Sequence, residues 1–156
     1  MLQKAILVIG GLVALVTGLV AYHWSEPDFS TLDGEAVSWS ELQGQVVVIN
    51  FFAEWCAPCL RELPELNRFA GMIEGQNVRL FGASFDQVNN DELSKLKEKY
   101  QIGFDLILSQ PPARLPLERP NALPATFIIG PDGRVLRQLM GEQHADSLLD
   151  TVLEFL

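Results

Sequence analysis

The stretch NFFAEWCAPCLRELPEL, Asn50–Leu66, holds the only two cysteines of the chain, Cys56 and Cys59. It overlaps the end of QVVVINFF, a nearly continuous apolar run of the kind expected for a central strand buried on both faces. Beyond the pair, Leu60, Leu63, Leu66 (or Asn67) and Ala70 recur at three-to-four spacing with charged residues between them. That pattern predicts a helix running to Glu74-Gly75. The cysteines therefore stand where a buried strand ends and a helix begins. A helix N-terminus offers unpaired N–H groups and the positive end of the macrodipole, which favours a thiolate over a thiol. Cys56, nearer the exposed entry, is expected to be the attacking nucleophile, and Cys59, one turn inside, the resolving thiol. Pro58 suits the first turn, where its missing N–H had no partner to lose.

Other uses of two cysteines fit poorly. A disulfide closing a two-residue loop restricts little of the unfolded chain and adds little stability. A zinc site normally needs four ligands, and the only histidines are His23 and His144, so no metal is expected. Haem attachment would want a histidine after the second cysteine, where Leu60 stands. Electron transfer through the dithiol remains, and it requires no cofactor.

The 156 residues suggest one domain plus an appendage, and a hydrophobic fraction of 48% is ample for a core. Formal net charge is −9; setting aside residues 1–24, which hold Lys4 and no acid, leaves −10. Such a balance argues against nucleic acid, whose phosphates require a basic footprint.

The appendage is AILVIGGLVALVTGLVAY, Ala5–Tyr22, which has no charged residue. About 20 residues at 1.5 Å rise span a hydrocarbon core. Tyr22 and Trp24 sit where an interfacial aromatic belt belongs, and the glycines are acceptable in a membrane helix. A cleaved signal peptide is the rival reading, but the run exceeds a usual apolar region and Leu19–Ala21 is a poor cleavage site. Residues 1–24 are thus expected to be a membrane anchor and 25–156 a globular domain. Lys4 and the amino terminus precede the span while Glu26, Asp28, Asp33 and Glu35 follow it, which orients the domain away from the cytoplasm.

Along that domain, DFSTL and EAVSW read as strands around Asp33-Gly34, and SELQG as one helical turn capped by Ser40. VRLFGASF is a second buried strand. NNDELSKLKEKY is a helix with Asn89 and Glu92 placed for a capping box. FDLIL is a short strand, and SQPPARLPLERPNALP, with five prolines, a loop. ATFIIG and RVLRQLM form a hairpin about PDG. ADSLLDTVLEFL closes the chain as a helix with Leu148, Leu149, Val152, Leu153 and Leu156 on one face. This order predicts an α/β fold with a central mixed sheet flanked by helices.

FFAEWCAPC, with Pro64 five residues past the second cysteine, and LPATFIIGPDGRV together resemble the thioredoxin superfamily. The apolar N-terminus, the DFSTLDGEAVSWSEL lead-in and VVVINFFAEWCAPCLRELPEL are more similar to its membrane-attached TlpA/ResA-like branch. The resemblance covers about residues 28–156. It implies a thioredoxin-like fold, a cis Leu123–Pro124 bond beside the cysteines, and a Leu123 backbone able to pair with an extended substrate segment. It also implies that Trp55 provides an apolar contact surface, with Ala57 and Pro58 completing the site. Pro64 fits a bend in the helix, since its ring clashes with the Leu60 carbonyl. Trp39, Phe51, Phe52, Phe81 and Phe127 are expected in the core.

Two positions depart from the family. Thioredoxins proper often carry a buried Asp six residues before the first cysteine, and Asn50 stands there; some ResA-like proteins have an acid between the cysteines, and Ala57 stands there. Proton transfer at Cys59 then falls to water or to Glu54. The branch resembled is mostly reducing. It implies a membrane-bound reductant of disulfides in partner proteins outside the cytoplasm, for example in cytochrome c maturation or copper delivery. A thiol–disulfide transporter in the cytoplasmic membrane would recharge it. A dithiol oxidase or isomerase, or a binding module without turnover, would use the same residues.

Overall fold

The structure is a computed structural model, and it describes residues 10–17 and 26–156. The anchor expected over residues 1–24 lies mostly outside the described residues. Residues 10–17 are helical and exposed. Among the described residues no helix is long and apolar enough to cross a membrane.

In chain order the elements are β1 (Phe29–Ser30), β2 (Ala36–Val37), β3 (Val46–Phe52), α1 (Ala57–Met72), β4 (Val78–Ser84), α2 (Asn90–Lys99), β5 (Asp105–Ile107), β6 (Ala125–Ile129), β7 (Val135–Met140) and α3 (Ala145–Leu153). β1 and β2 form a small antiparallel ribbon. The other five strands form a mixed sheet in the order β5-β4-β3-β6-β7. β3 runs parallel to β4 and antiparallel to β6.

β3 occupies the middle of this sheet, and all seven of its residues are buried. Successive side chains of a strand point to opposite faces. Val46, Val48 and Phe52 accordingly enter one core cluster with Leu63, Leu66 and Phe69 of α1 and Leu148 and Val152 of α3. Val47, Ile49 and Phe51 enter a second cluster with Phe29, Val37 and Leu42, closed over by Leu115 and Leu117 of the proline-rich segment. The same alternation places Asn50 on the α1 side, the one polar residue in that row.

Most expected elements are present, including the Asn89–Glu92 capping box. Three details differ. SELQG is a run of turns rather than a helical turn capped by Ser40; the Glu41 carboxylate accepts from the Ser38 N–H at 3.0 Å, so the turn is organised two residues earlier. In α3 only Ala145, Leu148 and Val152 are buried, while Leu153 and Leu156 are exposed, because the helix ends at Leu153 and its inward arc is narrower than the apolar sequence. Trp39 is half-buried, packed at 5.7 Å against Phe29 with its indole N–H donated to the Arg114 carbonyl. The four core phenylalanines are buried as expected.

Candidate active site

Cys56 and Cys59 are joined as a disulfide at the N-terminus of α1. Cys56 is the N-cap, with extended backbone (φ −91°, ψ 90°), and its Sγ accepts the Cys59 N–H at 3.3 Å. The sulfur thus takes the place of the oxygen that usually satisfies an orphan N–H in the first turn. Cys56 keeps 5% of its surface exposed and Cys59 none, so solvent meets the first sulfur before the second. Ala57 opens the helix on its exposed side, and Pro58 follows, half-buried.

One turn further along α1, Glu62 is fully buried at 1% exposure. Residues three apart on a helix share a face, so its carboxyl lies on the same side as Cys59. Asn50 Nδ2 donates to Glu62 Oε1 at 2.8 Å and to Thr126 Oγ1 at 3.0 Å, while the Gln143 N–H donates to Glu62 Oε2 at 2.8 Å. Asn50 and Thr126 are directly opposite each other in the β3–β6 ladder, which is why one amide reaches both. Burial pushes the Glu62 carboxyl up from 4.5 to about 7, against the two N–H donors that favour its charged form; nearby Glu142 pushes it further up. An acid that titrates near neutrality, one turn from a buried thiol position, can take up and return a proton.

The Leu123–Pro124 bond is cis, as expected, and so is Gln110–Pro111. Pro124 is buried at the head of β6 and Leu123 is half-buried, packing against both core clusters.

Residues 24–138 match the model of the AhpC/TSA family. The chain belongs to the AhpC/TSA family. Among curated relatives, the thiol-disulfide oxidoreductase ResA of Geobacillus thermodenitrificans is 27% identical over 138 residues, covering 83% of this chain and 79% of its own. ResA of Bacillus subtilis is 26% identical over 126 residues, covering 80% and 70%. Among solved structures, StoA from Bacillus subtilis superposes with a TM-score of 0.66 at 22% identity, over 78% of this chain and 92% of its own. A thioredoxin family thiol:disulfide interchange protein from Chlorobium tepidum gives 0.67 at 20% identity, over 81% and 90%. The fold of this AhpC/TSA member is thioredoxin-like.

Glu54, the acid proposed from sequence for proton transfer, is placed differently. Its carboxylate is exposed and paired with Lys99 Nζ at 2.6 Å and with the Tyr100 hydroxyl at 3.2 Å, both at the end of α2. The Lys99 hydrogen bond, then that of Tyr100, hold it below the usual carboxylate range, so it stays ionised where a proton carrier would need to titrate. The acid buried on the same face of α1 as Cys59 is Glu62. The sequence carried a signal for this, since Glu62 falls three residues after Cys59 and four before Leu66, on the inward arc of the helix. An acid in that row reads as a solvated charge until Asn50 is seen to face it.

Trp55 is 66% exposed beside Cys56, and its indole N–H donates to Asp86 Oδ2 at 2.7 Å. Its ring meets Phe85 edge-on at 6.1 Å, and the Arg119 guanidinium lies 3.7 Å over the Phe85 ring. Phe85, Asp86 and Arg119 also line a cavity of about 260 Å³ at the ends of β4 and β5, floored by Phe51, Ile107 and Leu117. Among the described residues no group of three His, Cys, Asp or Glu side chains could hold a metal ion.

Proposed function

We propose that this thiol-disulfide oxidoreductase reduces disulfides of partner proteins on the extracytoplasmic side of the cytoplasmic membrane, to which residues 1–24 attach it. The observation that carries the chemistry is the pairing of a helix-capping Cys56 with a fully buried Cys59 that has Glu62 one turn behind it. The curated relatives are named thiol-disulfide oxidoreductase, and the fold is that of thioredoxin-like proteins.

In the reduced enzyme the Cys56 thiolate attacks one sulfur of a substrate disulfide. A Cys56–substrate S–S bond forms, the substrate's own S–S bond breaks, and the released thiolate takes a proton from solvent. The Cys59 thiol then gives its proton to the Glu62 carboxylate, and the new thiolate attacks Cys56 Sγ. The mixed disulfide breaks, and the second substrate thiolate leaves and takes a proton from solvent to give the dithiol. Glu62 releases its proton to solvent, and the Cys56–Cys59 disulfide remains. Two electrons pass to the substrate, and a membrane dithiol donor restores them by the reverse exchange. In this reading Trp55, Ala57, Pro58 and Leu123 supply the contact surface for the substrate segment, with the buried cis Pro124 fixing the backbone at Leu123.

The apolar run Ala5–Tyr22 supports attachment, and a tether raises the effective concentration of the domain toward membrane partners. Proteins that must be kept reduced before cofactor insertion, such as apocytochrome c or a copper-delivery protein, are the substrates this placement suits.

A Cys59→Ser variant tests the assignment of roles. It should accumulate mixed disulfides through Cys56, and mass spectrometry of the trapped species identifies the substrates. Trapping through Cys59 in a Cys56→Ser variant instead would reverse the roles of the two cysteines, and no trapping in either variant would remove them.

A further inference from the structure

Four contacts fasten segment 142–146, the lead-in and first turn of α3, to one side of α1. The Arg61 guanidinium grips Glu142 with two nitrogens, Nε donating to Oε2 at 3.3 Å and a terminal nitrogen to Oε1. The Gln143 N–H donates to Glu62, and the Ala145 N–H to Glu65 Oε2 at 2.9 Å. Arg68 pairs with Asp146. Residues 61, 62, 65 and 68 rise along one stripe of α1, since helical neighbours recur every three to four positions. His144, the N-cap of α3, makes no side-chain cap bond, so α1 supplies acceptors to α3 from outside. An ion pair closes each end of this strap, and one of the two N–H donors between them reaches the acid of the redox site.

We propose that Arg61 is a positioning residue: by gripping Glu142 it keeps the Gln143 N–H on the Glu62 carboxylate. This rests on the proton-carrying role of Glu62 in the proposed exchange reaction. Exposed ion pairs contribute little to overall stability, so the consequence of this one lies in where it holds the backbone. The groups facing Glu62 are few. β3 presents neutral Asn50, with Thr126 of β6 behind it, and the strap presents Gln143 and Glu142. His144 acts on Glu142, and on α1 itself the neighbours are Cys59, Arg61 and Glu65. Releasing Arg61 has two effects of one sign. The carboxylate loses a hydrogen-bond donor, and Glu142 beside it loses the cation that offsets its charge.

The test uses the full-length oxidised protein, in which neither cysteine titrates. The ¹³C carboxyl signal of Glu62, assigned by its absence in Glu62→Gln, is followed with pH while hydrogen exchange of the Gln143 amide is measured. In Arg61→Ala the carboxyl midpoint should move up by about half a unit or more, and the Gln143 amide should exchange several-fold faster. Arg61→Lys should restore both in part. An unchanged midpoint overturns the proposal, and so does a shifted midpoint with the Gln143 amide still protected, which would be a through-space charge effect. The role of Glu62 is judged separately: if Glu62→Gln keeps the wild-type pH profile of disulfide exchange, Glu62 carries no proton, whatever Arg61 does to its midpoint.

Discussion

Burial raises the Glu62 carboxyl to about 7, whereas in the unfolded chain it returns to an ordinary value near 4.5. Between those values the folded protein holds a proton that the unfolded chain has released. Stability therefore falls as pH rises through this window, by on the order of 3 kcal/mol once both forms are ionised. Urea unfolding of the oxidised protein at a series of pH values should show this decline, and Glu62→Gln should lack it; parallel curves would mean that Glu62 is not raised. Glu54→Gln, by contrast, should leave the pH dependence of disulfide exchange unchanged, since Glu54 is occupied by Lys99 and Tyr100. A moved profile would return Glu54 to the mechanism. The Cys56–Cys59 pair at a strand–helix junction was legible in the spacing, and the cis bond at Pro124 only through the resemblance to the thioredoxin superfamily. Glu62 was not, because its meaning depends on Asn50, 12 residues away and across a strand–helix packing that no local pattern displays.

Secondary-structure elements were legible where a period ran unbroken. β3 has a continuous apolar run because both of its faces are covered, and α2 begins where Asn89 and Glu92 satisfy each other's backbone donors. The last helix shows where such reading ends. Apolar residues at 148, 149, 152, 153 and 156 define a broad stripe, yet only the arc through Ala145, Leu148 and Val152 is buried, in the core cluster shared by α1 and the sheet. Leu148→Ala should therefore cost about 2–5 kcal/mol in equilibrium unfolding, whereas Leu153→Ala should stay within about 0.5 kcal/mol of wild type. Equal losses at the two positions would restore the broader face. Gly82 offers a second check on the sheet, since a Cβ there would lie 2.6 Å from Leu106 Cδ2 and 2.9 Å from Phe104 Cε2. Gly82→Ala is expected to destabilise by about 1–3 kcal/mol through overpacking.

For the whole molecule, the sequence pattern divides a redox domain from an apolar N-terminal run, and each part sets a different property of the reaction. The domain supplies the dithiol chemistry, and on the proposed function the run sets where that chemistry occurs. Removing residues 1–24 should leave disulfide exchange with a soluble substrate unchanged while the protein leaves the membrane fraction. Direction of electron flow is a property of the molecule in its compartment, because the same two sulfurs reduce or oxidise according to their potential against their partners. It is read most directly by quenching intact cells with acid and alkylating free thiols on the full-length protein. A reductant fed by a membrane donor should be found with Cys56 and Cys59 as free thiols. A resting Cys56–Cys59 disulfide in cells that retain their membrane thiol–disulfide transporter would contradict the reductive role.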